Sequence, residues 1–230
     1  MKLNIQETIK LFDEKIPENG GHISGIIGLF GEELLVQIFA HYLKAIEYEV
    51  SIYNEIPKTG NLKGSRLDAW IECKKGNQRF LYQTEVKNWS AYAVGGKSVP
   101  LNIDERELRR QSRDRYDQQF NEHFQKPQKT IVNKVLIPMR SPNNADVKIA
   151  KPVVIYWWPI SQDGTNPFTR FCPNKKLLKK LKSPSNFRQV FVFSASLYLR
   201  SLHKKEIKYL SLDLPKTEKR QALIKKILLS

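Results

Sequence analysis

Apolar residues along the chain switch several times between helical spacing and strict alternation, and the switches mark out the elements. Residues 3–16 carry helical spacing and stop at PENGG. A second helix is predicted over 27–45, where Leu34, Leu35, Ile38, Phe39, Tyr42 and Ile46 form one apolar stripe. YEVSIYNEI alternates as a strand, PKTGNLKG is a loop, and RLDAWIEC is the next strand. KKGNQ then reads as a tight turn with glycine at its tip, and RFLYQTEVKNW as the returning strand. After AVGGKSVP a long charged helix is expected over 104–124. TIVNKVLIPM and PVVIYWWPI are apolar strands separated by a polar loop. The remainder reads as a lysine-rich helix over 174–181, an apolar segment QVFVFSASLYLRSL, a strand EIKYLSLDL and a final helix KTEKRQALIKKILL. This order predicts an α/β fold with a central mixed sheet flanked by helices.

Charge changes the picture at one end. The chain has 230 residues and a net charge of +16. Between 170 and 230 there are 16 Lys or Arg against 3 acids, so the last quarter is a polycation on a nearly neutral body. Such a field attracts a polyanion, either nucleic acid or anionic lipid, or it serves only solubility. Lys175, Lys176, Lys179 and Lys180 crowd one short helix and are the candidate nucleic-acid contacts. Cys73 and Cys172 suggest neither a disulfide framework nor, without histidine help, a zinc cluster. The longest apolar run is half of what a membrane span needs, and no signal segment follows Met1. No membrane is expected as a partner, and a reducing cytoplasm is the expected location.

The chemistry concentrates in LYQTEVKNWS. Leu81, Gln83, Glu85 and Lys87 share one face of a strand, with Phe80, Tyr82, Thr84 and Val86 on the other. On the preceding strand Asp68, Trp70 and Glu72 share a face. If Asn77 to Arg79 close the hairpin, Asp68 and Glu85 lie near the open ends of paired antiparallel strands. A hard divalent cation favours such oxygens and keeps several waters, so an all-protein cage is unnecessary. Lys87, two residues after the second carboxylate, points to the same spot. Of the triplets Glu72-Cys73-Lys74, Glu85-Val86-Lys87 and Glu206-Ile207-Lys208, only the second has an aspartate on a paired strand. A surface salt bridge along an exposed strand is the plain alternative.

Asp68 followed by Glu85-Val86-Lys87, on a hairpin after an amphipathic helix, resembles the PD-(D/E)xK nuclease superfamily, the restriction-endonuclease-like fold. The resemblance covers roughly 27–125, and Leu67 stands where the family name has proline. It implies a nuclease core over 1–169, with 170–230 as a basic extension packed on the same domain. It further implies a metal-dependent phosphodiesterase, an endonuclease acting on DNA in preference to RNA and leaving a 5′-phosphate. Mg²⁺, or Mn²⁺ in its place, would be held by Asp68, Glu85 and the Val86 carbonyl, with Lys87 positioning water or stabilising charge. Relatives send a helix acid toward the metal. Glu32 lies about 70° from the centre of the apolar stripe, whereas Glu33 lies almost opposite and should face water. Glu32 is therefore the expected acid, unless it is only a first-turn acid favoured by the helix dipole. The fold also implies a Gln or Arg from the following helix beside the site, and Gln111 and Arg115 are the candidates; i,i+4 ion pairs explain the same composition. Gln83 lines the site or is an exposed strand residue. Many nucleases of this fold act as dimers, so a homodimer is expected by analogy. The alternative function is a nucleic-acid-binding protein of the same fold with an idle or structural metal site.

Overall fold

The computed structural model describes residues 1–14, 22–53, 68–87, 98–122, 136, 150–173 and 187–228. Its centre is a mixed six-stranded sheet in the order β2-β3-β4-β5-β7-β6. The strands are β2 (Glu49–Tyr53), β3 (Ala69–Lys75), β4 (Gln78–Lys87), β5 (Ala150–Tyr156), β6 (Phe168–Phe171) and β7 (Val190–Ser194). β2, β3 and β4 form an antiparallel meander; β4, β5 and β7 run parallel, and β6 closes the far edge antiparallel to β7. A short ribbon pairs β1 (Lys2–Asn4) with β8 (Tyr209–Ser211). Strands from both sides of position 170 share the large sheet.

The two faces bury separate cores. Helices α1 (Ile5–Asp13), α2 (His22–Ala45) and α4 (Ala195–Lys204) cover one face, where Ile9, Leu35, Phe39 and Leu199 pack with Ile71, Tyr82, Ile155 and Phe193. Each such side chain, fully buried, contributes about 1.5–3 kcal/mol. Helix α3 (Glu105–Asp117) and the π-helical turn after it cover the other, where Leu108, Tyr116 and Phe120 meet Val154, Tyr156, Val190 and Val192. From Val153 to Tyr156 β5 alternates between the two cores, which is why this part of the strand is apolar on both faces.

Helix starts follow local chemistry. Asn4 accepts a hydrogen bond from the Glu7 amide at α1, and Asp104 accepts from Arg106 and Glu107 at α3. Helix α5 (Pro215–Leu228) opens with proline, whose missing N–H costs nothing in a first turn.

Several predicted elements shift. QVFVFSASLYLRSL divides into β7 and α4, because the Ser194 hydroxyl accepts from the Leu197 amide at 3.3 Å and starts a helix there. EIKYLSLDL shrinks to the three residues of β8, paired with β1. β1 and β6 were not predicted; both are short and draw their strand character from a partner distant in sequence. TIVNKVLIPM, apart from Leu136, and the lysine-rich helix over 174–181 lie outside the described residues. Among the described residues no helix is long and apolar enough to cross a membrane.

Candidate functional site

The site is built by the β3–β4 hairpin. Lys75 pairs with Gln78 across a turn in which Gly76 adopts φ +56°, a conformation that favours glycine. The turn therefore closes at Gly76 and Asn77, earlier than the sequence suggested. Register then runs outward to Ala69 opposite Thr84, and Asp68 and Glu85 follow just beyond that last pair. Cross-strand partners point to the same face. The Asp68 carboxylate folds over the strand end, where Oδ2 accepts from the Val86 amide at 2.6 Å. The Val86 carbonyl points to that same edge, since the N–H and C=O of a strand residue share a side. On the opposite edge the Trp157 amide donates to the Lys87 carbonyl at 3.0 Å, continuing the β4–β5 pairing. The end of β4 is thus held from both sides. Lys87 Nζ donates to Glu85 Oε1 at 2.8 Å, with the two side chains only 13% and 14% exposed. These are not residues of a wet strand face.

Burial, and then the Glu85 charge, push the Asp68 carboxyl up to about 7; the Val86 hydrogen bond opposes them, Glu32 adds to the rise, and Lys87 lowers it. The structure therefore gathers Asp68, Glu85, Lys87 and Glu32 into one electrostatic neighbourhood. Glu32 is exposed and lines, with Asp68, a cleft of about 100 Å³. Glu33 does not face open water as the helix phase predicts. Its carboxylate accepts from the Lys216 amide at 2.8 Å and from the Thr217 amide and hydroxyl at 2.7 Å each, capping α5. The last helix packs on the outer side of α2, and helix phase carries no information about that.

Gln83 is fully buried two residues inward from Glu85, opposite Trp70, so it is not an exposed strand residue. Gln111 donates to Glu107 at 2.8 Å and accepts from Arg115 Nη2 at 3.0 Å. Burial lowers the Arg115 pKa, and the charge that most offsets this is Asp13, not a carboxylate of the hairpin. Val86 turns its side chain into the core, leaving its backbone for the site. Lys175, Lys176, Lys179 and Lys180 lie outside the described residues.

Asp13, which the sequence did not single out, organises a second polar cluster. Its fully buried carboxylate accepts from Trp157 Nε1 at 3.1 Å, from the Ser196 hydroxyl and from Arg200 Nη2 at 2.9 Å. Burial raises its pKa, while Arg200, Ser196 and Trp157 oppose the rise. Arg200 also donates to the carbonyls of Val99, Pro100 and Leu101. The cluster ties α1, α4 and the approach to α3 to Trp157, the residue that secures the Lys87 end of β4. A single arginine within the apolar SASLYLRSL run was the available signal.

The other acid-x-lysine triplets are placed differently. Glu72 accepts from the Tyr53 hydroxyl at 2.5 Å and pairs with Arg79, which holds its pKa below the ordinary value. Glu206 sits in an exposed turn at φ +61°. Two further triplets occur: Asp13-Glu14-Lys15, whose aspartate is committed to Arg200, and Asp146-Val147-Lys148, outside the described residues.

Among the described residues no group of three or more His, Cys, Asp or Glu is gathered for a metal ion. The oxygen set of Asp68, Glu85 and the Val86 carbonyl nevertheless suits a hard cation that keeps its waters. The upward push on Asp68 comes from burial and from Glu85, and Lys87 offsets only part of it. No family model matches the chain, and neither a curated protein nor a solved structure matches it.

Proposed function

We propose that this protein is a metal-dependent nuclease with a restriction-endonuclease-like core, hydrolysing phosphodiester bonds in DNA. The observation that carries the reading is the end of the β3–β4 hairpin. There Asp68 and Glu85 stand close enough for the Glu85 charge to raise the Asp68 pKa, Lys87 lies 2.8 Å from Glu85, and the Val86 backbone is tied to Asp68. Asp68, Glu85 and the Val86 carbonyl would hold Mg²⁺, with Glu32 adding negative charge from α2. When bound, the ion supplies Lewis-acid screening of the scissile phosphate and a more acidic water. Glu85 keeps the Lys87 ammonium fixed, so that it can orient the water and meet the charge that develops on phosphorus oxygens. The Trp157–Lys87 backbone bond limits how far this end of the strand can drift. Hydrolysis by this route would leave a 5′-phosphate.

The test is cleavage of plasmid DNA by purified protein with and without Mg²⁺, beside Lys87→Ala. Loss of one electrostatic stabiliser should slow cleavage by about 10² or more, with DNA binding in Ca²⁺ retained. Equal rates for the two proteins would sink the catalytic role. A second reading, a nucleic-acid-binding protein with an idle site, draws on the Lys87–Glu85 ion pair and on the lack of a three-group metal cluster among the described residues. It predicts binding without cleavage under every divalent ion.

A further inference from the structure

The cleft lined by Asp68 and Glu32 is also lined by Lys216 and Arg220 of α5. Both side chains are exposed, and among the described residues neither makes an ion pair or a side-chain hydrogen bond. Opposite charges lining so small a cleft could have closed into salt bridges, yet these have not. Their placement is nevertheless firm. Glu33 caps α5 through three hydrogen bonds to Lys216 and Thr217, which pins the first turn of α5 to α2. Residues four apart lie on one helical face, so Lys216 and Arg220 present two cations to the cleft from a fixed support. The carboxylates of this cleft would repel a phosphodiester, and a phosphate brought there needs positive charge beyond what one metal ion supplies.

Building on the nuclease reading, we infer that Lys216 and Arg220 contact the nucleic-acid backbone and seat the phosphodiester beside Asp68. The role of α5 is to bring distant cations to the hairpin, with Glu33 as the clamp that sets their position. The two residues belong to binding and positioning; the water and the leaving group stay with the hairpin.

The experiment compares wild type, the charge-removing pair K216Q/R220Q and the charge-keeping pair K216R/R220K. Binding of a fluorescein-labelled duplex DNA is followed by anisotropy in Ca²⁺ across a salt series, and cleavage is followed in Mg²⁺. Losing two phosphate contacts should reduce the slope of log K against log salt by about two, and should raise KM about tenfold or more. The charge-keeping pair should restore the slope. An unchanged slope in K216Q/R220Q overturns the inference whether or not the wild type cleaves, as does a wild type that does not bind the duplex. A reduced slope with no cleavage by the wild type supports the contact and removes only the hydrolytic reading. Both positions are exposed, so the substituted proteins should keep the thermal transition of the wild type.

Discussion

Asp68→Asn should stabilise the metal-free protein while abolishing the proposed Mg²⁺-dependent cleavage. In the folded chain the Asp68 carboxyl stands at about 7 against an ordinary 3.8, through burial first and Glu85 second. Between those values the folded protein holds a proton that the unfolded chain has released. Stability therefore falls as pH rises through this window, and the full penalty is present above about pH 7. The gap corresponds to about 4 kcal/mol, at about 1.4 kcal/mol per pH unit. Asp68 keeps part of its surface in water and is coupled to Glu85, so about 2 kcal/mol should survive screening. Asparagine retains an oxygen to accept from the Val86 amide, and it removes the charge. Urea or thermal denaturation at pH 8 without divalent ions should show Asp68→Asn more stable by about that amount, some 4–8 °C for a chain of this size. The advantage should vanish as the pH falls below the ordinary value of 3.8, where the wild-type carboxyl is protonated in both states. Adding Mg²⁺ at pH 8 should stabilise the wild type far more than the variant. An Asp68→Asn protein that is equally or less stable than wild type at pH 8 would refute the reasoning, because the two carboxylates would then already be compensated.

On the proposed reading Glu32→Gln should lower Mg²⁺-dependent cleavage with little change in the melting temperature, since Glu32 is exposed and touches the site through its charge. Glu33→Gln should lower stability by about 1 kcal/mol, the usual worth of a helix cap, and thermal denaturation at neutral pH measures it; no loss would mean that α5 is held by its other contacts. Asp13→Ala leaves the 6%-exposed Arg200 guanidinium without its countercharge and should cost about 3 kcal/mol in chemical denaturation, at the lower end for a broken buried pair because three backbone carbonyls still receive the guanidinium. A cost below 1 kcal/mol would show that the cluster relaxes freely.

Much of the site's core was legible because it is local. Asp68, Glu85 and Lys87 lie within twenty residues, on two strands joined by one turn, and period-two alternation alone assigns them to one face. Which residues oppose each other was not legible, since Asn77 to Arg79 closes the hairpin as plausibly as Gly76 and Asn77 until the backbone at Gly76 is seen. The different placements of Glu32 and Glu33 on the α2 surface had the same limit. Helix phase places Glu33 away from the apolar stripe, but the element that covers that side arrives more than 180 residues later in the chain.

The sequence by itself determined the hairpin, the apolar β5 and the amphipathic α2, because each depends on the spacing of side chains along one segment. Only the tertiary structure decided that Asp13 and Arg200 would meet, that β1 and β6 would be strands, and that Lys216 and Arg220 would line one cleft with Asp68. Those outcomes depend on which surfaces are brought together by burial and on charges that must find partners once water is excluded. A pairing between residues 187 positions apart leaves no period in the sequence to be read.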